Sequence, residues 1–320
     1  MKVLVVTNMY PTASEPWFGS FVRDQVEDLR ALGLDLELLS FDGRHRASEY
    51  GRAARRVRQM TRTGRFDLLH AHYGVTGAVA LSQRSVPVVT TFHGSDTGHI
   101  RWQRIVSAVV ARRSVPIFVH RAGAQLLWCR SGHVIPAGVD TEAFVPADRS
   151  AIRGRLGWNE ECRYILFPSS RHNQVKRPDL FAATVEALRG AGQRVEPVYL
   201  ENLSRAQAAE VIAAVDLTLV TSDWEGSPVA VRESLACETP VVSVPVGDVV
   251  DTLAGLPGCE IAAREPAALA AAVTRALASP RSNALRERAL VTSRVRTAER
   301  VAAVYREVLV SGASRSTRRS

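Results

Sequence analysis

"SDWEGSPVAVRESLACETPVV" occupies Ser222 to Val242. Just before it lies DLTLV, a short apolar run of strand length, and its own end, PVV, begins another. Between them, Ser227 suits a helix N-cap and Pro228 the first helical position. The stretch therefore reads as strand, loop, helix, strand. The same order recurs in both directions. Strands are predicted near Lys2–Thr7, Leu34–Ser40, Asp67–Ala71, Val86–Phe92, Val115–Val119 and Gly132–Ile135. After the Pro- and Gly-containing connector PAGVDTEAFVPADRS (Pro136–Ser150) they resume at Arg163–Phe167, Val195–Leu200, Asp216–Val220, Pro240–Val244 and Gly258–Ala262. Strands alternating with helices predict an α/β protein with parallel sheets. A length of 320 residues favours two domains, expected at 1–150 and 151–295, with a final helix over 296–310 and an irregular tail at 311–320.

Composition narrows the class. Apolar residues make 46% and charged residues 23% of the chain, as in a soluble globular protein. No apolar run approaches the roughly 20 residues that span a bilayer, and MKVLVV is too short for a secretory core, so a cytoplasmic protein is expected. Cys129, Cys162, Cys237 and Cys259 are far apart and form no C-x-x-C pair, which argues against zinc or a disulfide framework. The net charge of +9 is almost all arginine, since Lys2 and Lys176 are the only lysines. Eight arginines fall between Arg44 and Arg65. They read either as a solvated helix face or as a peripheral contact with an anionic membrane; no nucleic-acid motif accompanies them.

Ligands of open α/β sheets bind at the carboxyl ends of the strands, which selects four loops. NMYPTASEPWFGSF carries Asn8 and, just before the first helix, Gly19, where a backbone can approach a ligand. TTFHGSDTGH places His93, Gly94 and Asp96 after the fourth strand; Asp96 equally suits a helix cap. His70 and His72 share one strand face, but spacing supplies no third metal ligand. PSSRHNQVKRPDL sets Arg171 and Lys176 before a helix, two cations fit to clamp a diphosphate or simply to be solvated. In the opening stretch Glu225 precedes the helix and Glu233 lies about 9 Å up its axis when Ser227 is the cap. Ser227 and Pro228 explain the helix start without either glutamate. A nucleoside-diphosphate sugar, with hydroxyls at one end and a ribose at the other, matches that layout.

These residues resemble the retaining GT-B glycosyltransferases of family 4. The resemblance rests on the E-x7-E element Glu225–Glu233, on Arg171 and Lys176 in SSRHNQVK, on TTFHGSDT, and on HVIPAGVDTEAF, and covers about residues 1–310. It implies two Rossmann-like domains facing across a cleft, with the last helix crossing back to the first domain. It further implies that Glu225 binds donor-sugar hydroxyls, that the Gly226, Ser227 and Val229 amides hold sugar and phosphate, and that Glu233 binds the ribose. Arg171 and Lys176 would neutralise the departing diphosphate, and His93 would face the reacting sugar. The expected reaction moves a sugar from a nucleoside-diphosphate sugar, UDP before GDP, to a hydroxyl acceptor such as a glycan, a lipid-linked glycan or a natural product. Retention is expected, with no metal and no cofactor beyond the sugar nucleotide as co-substrate. The alternative is a weakly active member that binds a nucleotide sugar or a protein partner. A pyridoxal-dependent phosphorylase is disfavoured because no lysine follows Lys176.

Overall fold

The computed structural model describes residues 1–15, 18–98 and 100–316. The chain divides into two compact units, Met1–Gly138 with Arg294–Ser320, and Val139–Ser293. Unit 1 runs β1 (Lys2–Thr7), α1 (Ser20–Ala31), β2 (Asp35–Ser40), α2 (Ser48–Thr61), β3 (Leu68–His72), α3 (Gly74–Ala80), β4 (Val88–Phe92), α4 (Ser95–Gly98), α5 (Arg101–Ala111), β5 (Val115–Phe118), α6 (Arg121–Leu126) and β6 (His133–Val134). Unit 2 runs α7 (Arg149–Leu156), β7 (Arg163–Phe167), a 3-10 turn (Gln174–Lys176), α8 (Pro178–Gly190), β8 (Val195–Tyr199), α9 (Arg205–Ala214), β9 (Leu217–Val220), α10 (Val229–Ala236), β10 (Val241–Ser243), α11 (Val249–Leu253), β11 (Glu260–Ile261), α12 (Pro266–Ala278) and α13 (Asn283–Val291). The chain then returns to unit 1 as α14 (Arg294–Ser316).

Both sheets are parallel. Their orders are β2-β1-β3-β4-β5-β6 and β11-β10-β9-β7-β8. Counted within its own unit, each sheet begins 2-1-3-4-5, so each has one point where the winding reverses: β1/β3 in unit 1 and β7/β9 in unit 2. The apolar run of β1 shows why both faces are covered. Val3 and Val5 join the cluster under α1 and α14, while Leu4 and Val6 join the cluster under α2 and α3. On α14, Val301, Ala302, Val304 and Tyr305 face that first cluster. Arg294 anchors the start of α14 through Asp28, 2.7 Å from its guanidinium. The helix continues through Ser316, into the segment expected to be irregular from residue 311, because extending an existing helix is far cheaper than starting one. Residues 317–320 lie outside the described residues. Among the described residues no helix is long and apolar enough to cross a membrane.

Unit 2 is built on one large cluster in which Leu217, Leu219, Val241 and Val242 are fully buried. At its base sits a buried carboxylate. Asp216 accepts from the Tyr164 N–H at 2.7 Å and from Arg153 at 2.7 Å, and it also pairs with Arg149. Arg153, 4% exposed, donates its Nε–H to the Ala214 carbonyl as well, so α7 is pinned to the entry of β9. Burial opposes the charge on Asp216, but the Tyr164 N–H and the two guanidinium groups win and hold its carboxyl below the ordinary range. A depressed folded-state value means that this stability is present above the ordinary carboxylate range and is lost as the pH falls from there through the lowered folded-state value. Removing the carboxylate takes the partner from three cations, Arg149, Arg153 and Arg163, of which Arg153 is buried. Asp216→Ala is therefore expected to destabilise unit 2 by about 3–5 kcal/mol, read as an earlier transition in urea at neutral pH.

Candidate functional site

In unit 2 the loops that leave β7 and β9 flank the reversal point, and they are tied to each other. Thr221 donates to the Lys176 carbonyl at 2.8 Å and the Asp223 N–H donates to the Val175 carbonyl at 2.9 Å. Arg177, in the left-handed region at φ 56°, pairs with both Asp179 and Asp223. This backbone clasp presents Lys176 to Glu225: Nζ lies 2.5 Å from Oε1. Ser222 donates to the same oxygen at 2.7 Å. Glu225 is thus an oriented carboxylate, its side chain 11% exposed, with a cation held over the mouth of α10.

A third loop, between β10 and α11, sets the height of that mouth. The Asp248 N–H donates to the Gly226 carbonyl at 3.2 Å, and Ser227 Oγ donates to Asp248 Oδ2 at 3.0 Å. Arg232, 2% exposed, reaches the same Asp248 oxygen from inside α10. Ser227 is consequently not the N-cap expected of it: its hydroxyl is spent on Asp248, Pro228 takes the cap position, and α10 begins at Val229. Glu233 moves one place nearer the mouth, about 7.5 Å from the cap at 1.5 Å per residue. It is partly buried. Gly226 and Val229 flank the same turn. Arg171, although on the loop after β7, turns to Glu201, with Nε 3.1 Å from Oε2, and stacks on Tyr199 at 4.5 Å. The structure therefore brings Lys176, Glu225, Gly226, Ser227 and Val229 together and gives Arg171 other partners.

Unit 1 carries its own cluster at the ends of β3 and β4. His72 Nδ1 and His93 Nε2 are 3.1 Å apart, and the His93 ring is flanked by Phe21 at 4.8 Å and Tyr73 at 5.5 Å. Burial pushes both imidazoles well below their ordinary value, so they are neutral at pH 7. His70, further in, is bonded to Thr91 at 2.8 Å and to Tyr305 of α14 at 2.6 Å, and burial lowers it to about 3. Asp96 is fully buried and accepts from three backbone N–H groups: Gly74 at 2.9 Å, Gly94 at 3.0 Å and His93 at 3.1 Å. It clasps the loops after β3 and β4 and fixes the backbone that carries His93. Burial raises its carboxyl to about 6, although those N–H groups pull the other way. Asn8 bridges Tyr50 at 3.0 Å and Thr76 at 3.3 Å. Gly19 sits at φ 72°, and a Cβ there would lie 2.5 Å from the Met9 carbonyl, so only glycine lets α1 start so close to the first loop.

Family models match both halves of the chain. Glycosyltransferase Family 4 covers residues 2–143, and Glycosyl transferases group 1 covers residues 177–279. Among curated proteins, the D-inositol 3-phosphate glycosyltransferase of Geodermatophilus obscurus is 29% identical over 271 residues, 67% of this chain and 60% of the relative. The putative teichuronic acid biosynthesis glycosyltransferase TuaC of Bacillus subtilis is 24% identical over 86% of this chain and 89% of its own. Among solved structures, sucrose-phosphate synthase from Thermosynechococcus elongatus superposes with a TM-score of 0.78 at 18% identity, covering 97% of this chain and 99% of that one. Anabaena HepE, solved in complex with UDP, gives 0.71 at 17% identity over 96% and 100%. This is a GT-B glycosyltransferase fold. The chain spans 60% of the length of the Geodermatophilus relative, so the fold is shared over less than that whole protein.

Three residues that shape the turn before α10 were not singled out from the sequence: Asp248, Arg232 and Gly247. The signal was the Gly-Asp pair in VPVGDVV, a strand-end loop of the same kind as the four that were read. Gly247 sits at φ 55°, and a Cβ on it would meet the Gly226 carbonyl at 2.4 Å. Gly247→Ala must push the Gly226–Ser227 turn out of register with Lys176. Its cost is expected at about 1–3 kcal/mol, measured by chemical denaturation. Binding to the mouth of α10 should fall further than the stability loss alone explains.

Proposed function

We propose that this GT-B protein transfers a sugar from a nucleoside-diphosphate sugar to a hydroxyl acceptor, UDP serving better than GDP, with retention and without a metal ion. The observation that carries the reading is the Lys176–Glu225 pair, held over the start of α10 where the unit 2 sheet reverses its winding. A diphosphate there meets the ammonium of Lys176 and the amides of the Gly226–Val229 turn. Glu225 keeps Lys176 in place and accepts from sugar hydroxyls. Glu233, further along α10, accepts from the ribose. As the bond from the sugar to the diphosphate breaks, negative charge grows on the leaving oxygens, and a preorganised cation lowers the barrier by meeting it there. Arg171 supplies a second cation by exchanging Glu201 for phosphate. With two cations the site has no need of a divalent ion. HepE, with the same fold, was solved with UDP and with UDP-glucose, which supports the choice of base. His93, neutral and set by Asp96, belongs to unit 1 and is assigned to the reacting sugar by the family resemblance. The acceptor carries a hydroxyl; its class is left to a screen of glycans, lipid-linked glycans and small natural products.

The test is a donor turnover assay with and without chelator. Lys176→Ala is expected to lower kcat/KM by about a hundredfold. Glu233→Ala should raise the donor KM by about tenfold with a smaller change in kcat, since the ribose contact is the same in ground and transition states. Chelator should change neither. Near-wild-type kinetics in both variants would remove the site assignment. Tight nucleotide-sugar binding without turnover toward any acceptor would favour a binding module instead.

A further inference from the structure

Between Asp67 and Asp140 the chain has seven arginines and a single acid, Asp96, which is fully buried. α5 lies in the acid-free part of this segment, after Asp96, and turns apolar side chains outward. Trp102 is 56% exposed, Ile105 67% and Val109 48%. At about 100° per residue they fall in one arc with Arg101 and Arg112, both exposed. The opposite face, with Ser107, Val110 and Ala111, is the buried one. Trp128, at the end of α6, is 74% exposed and stands in the left-handed region at φ 49°, uncommon for so bulky a residue. It directly follows Leu127, which shares one small core cluster with Ala108 and Ala111 of α5. Ile105 and Val109 also line a groove of about 600 Å³, together with Arg84 and Arg113.

We propose that α5 and Trp128 form a docking surface for an anionic lipid bilayer. Tryptophan rings and short aliphatic side chains enter the interfacial layer, and the arginines at both ends of the strip meet lipid phosphates. A bilayer covers such a strip without needing a matched shape. A second copy of this chain is disfavoured, because apposing the strips would set arginine against arginine with no acid between them. α2, in the middle of the arginine-rich stretch Arg44–Arg65, lacks the apolar half of the device. Arg44, Arg52 and Arg65 pair with Glu15, Glu49 and Glu37, and no large apolar side chain of α2 is among the exposed ones. Charge on α2 adds attraction; the anchor is α5.

The experiment is co-sedimentation of the full chain with vesicles of phosphatidylcholine alone and of phosphatidylcholine mixed with phosphatidylglycerol. The full chain should pellet with the mixed vesicles only, and less so as salt is raised. Brominated lipid should quench its tryptophan fluorescence, a readout that needs no mutation. Arg101→Gln with Arg112→Gln should weaken partitioning by roughly fivefold for each arginine removed. Trp102→Ser with Ile105→Ser should abolish quenching of the remaining tryptophans along with sedimentation. Arg55→Gln with Arg56→Gln on α2 should have a smaller effect than either pair. The proposal is overturned by unchanged partitioning of both α5 pairs, by failure of the wild type to bind anionic vesicles, or by equal binding to neutral ones. It is also overturned if the wild type is an oligomer that the α5 changes dissolve, which would make a second copy the occupant.

Discussion

The contact on which the unit 2 site depends is the ion pair between Lys176 and Glu225. Its length is set less by the two side chains than by the backbone bonds beneath them. Thr221 holds the Lys176 carbonyl, Asp223 holds the Val175 carbonyl, and Ser222 donates to the same Glu225 oxygen that Lys176 reaches. Two loops that belong to different βα units are thereby locked at the one place in the sheet where neighbouring helices diverge. The first turn of a helix leaves N–H groups without intrahelical partners, and Glu225, which leads into α10, holds the Lys176 ammonium at that end of the helix. A second layer, Gly247 with Asp248 and the buried Arg232, fixes how far the Gly226–Ser227 turn stands from that cation.

Unit 1 solves its own positioning problem differently. Its loops are clasped by a buried carboxylate that accepts three backbone N–H groups, and the rings beside it are neutral imidazoles packed against aromatics. The chain of contacts from Tyr305 through His70 to Thr91 links the last helix to the strand that carries His93. Burial keeps these rings neutral, and packing against Phe21 and Tyr73 orders His93.

Much of the fold was legible because parallel strands buried on both faces appear as short unbroken apolar runs. VLVV, RYILF and LTLV could hardly be anything else, and strands occur near every predicted position. Ends were less legible: strands stop one or two residues short where the last pairing partner runs out, as at Val119 and Leu200. α13 begins at a local signal that went unread, the Ser282 N-cap that accepts from the Ala284 N–H, whereas the continuation of α14 depends on helix extension. At the site, the loops could be selected from topology alone, and so could the residue types within them. The partnerships could not. Ser227 looked like a cap because serine before proline usually is one, but a hydroxyl takes whichever acceptor is nearest, and Asp248 arrives from a loop some twenty residues later. Arg171 turned to Glu201 for the same reason: the carboxylate comes from the end of a neighbouring strand, invisible in local sequence.

The most direct test of the account is a structure of the protein crystallised with UDP. The account predicts the diphosphate within hydrogen-bond reach of Lys176 Nζ and of the amides of the Gly226–Val229 turn, with the ribose hydroxyls on Glu233. Nucleotide bound elsewhere in unit 2, or a diphosphate that leaves the Lys176–Glu225 pair untouched, would contradict it.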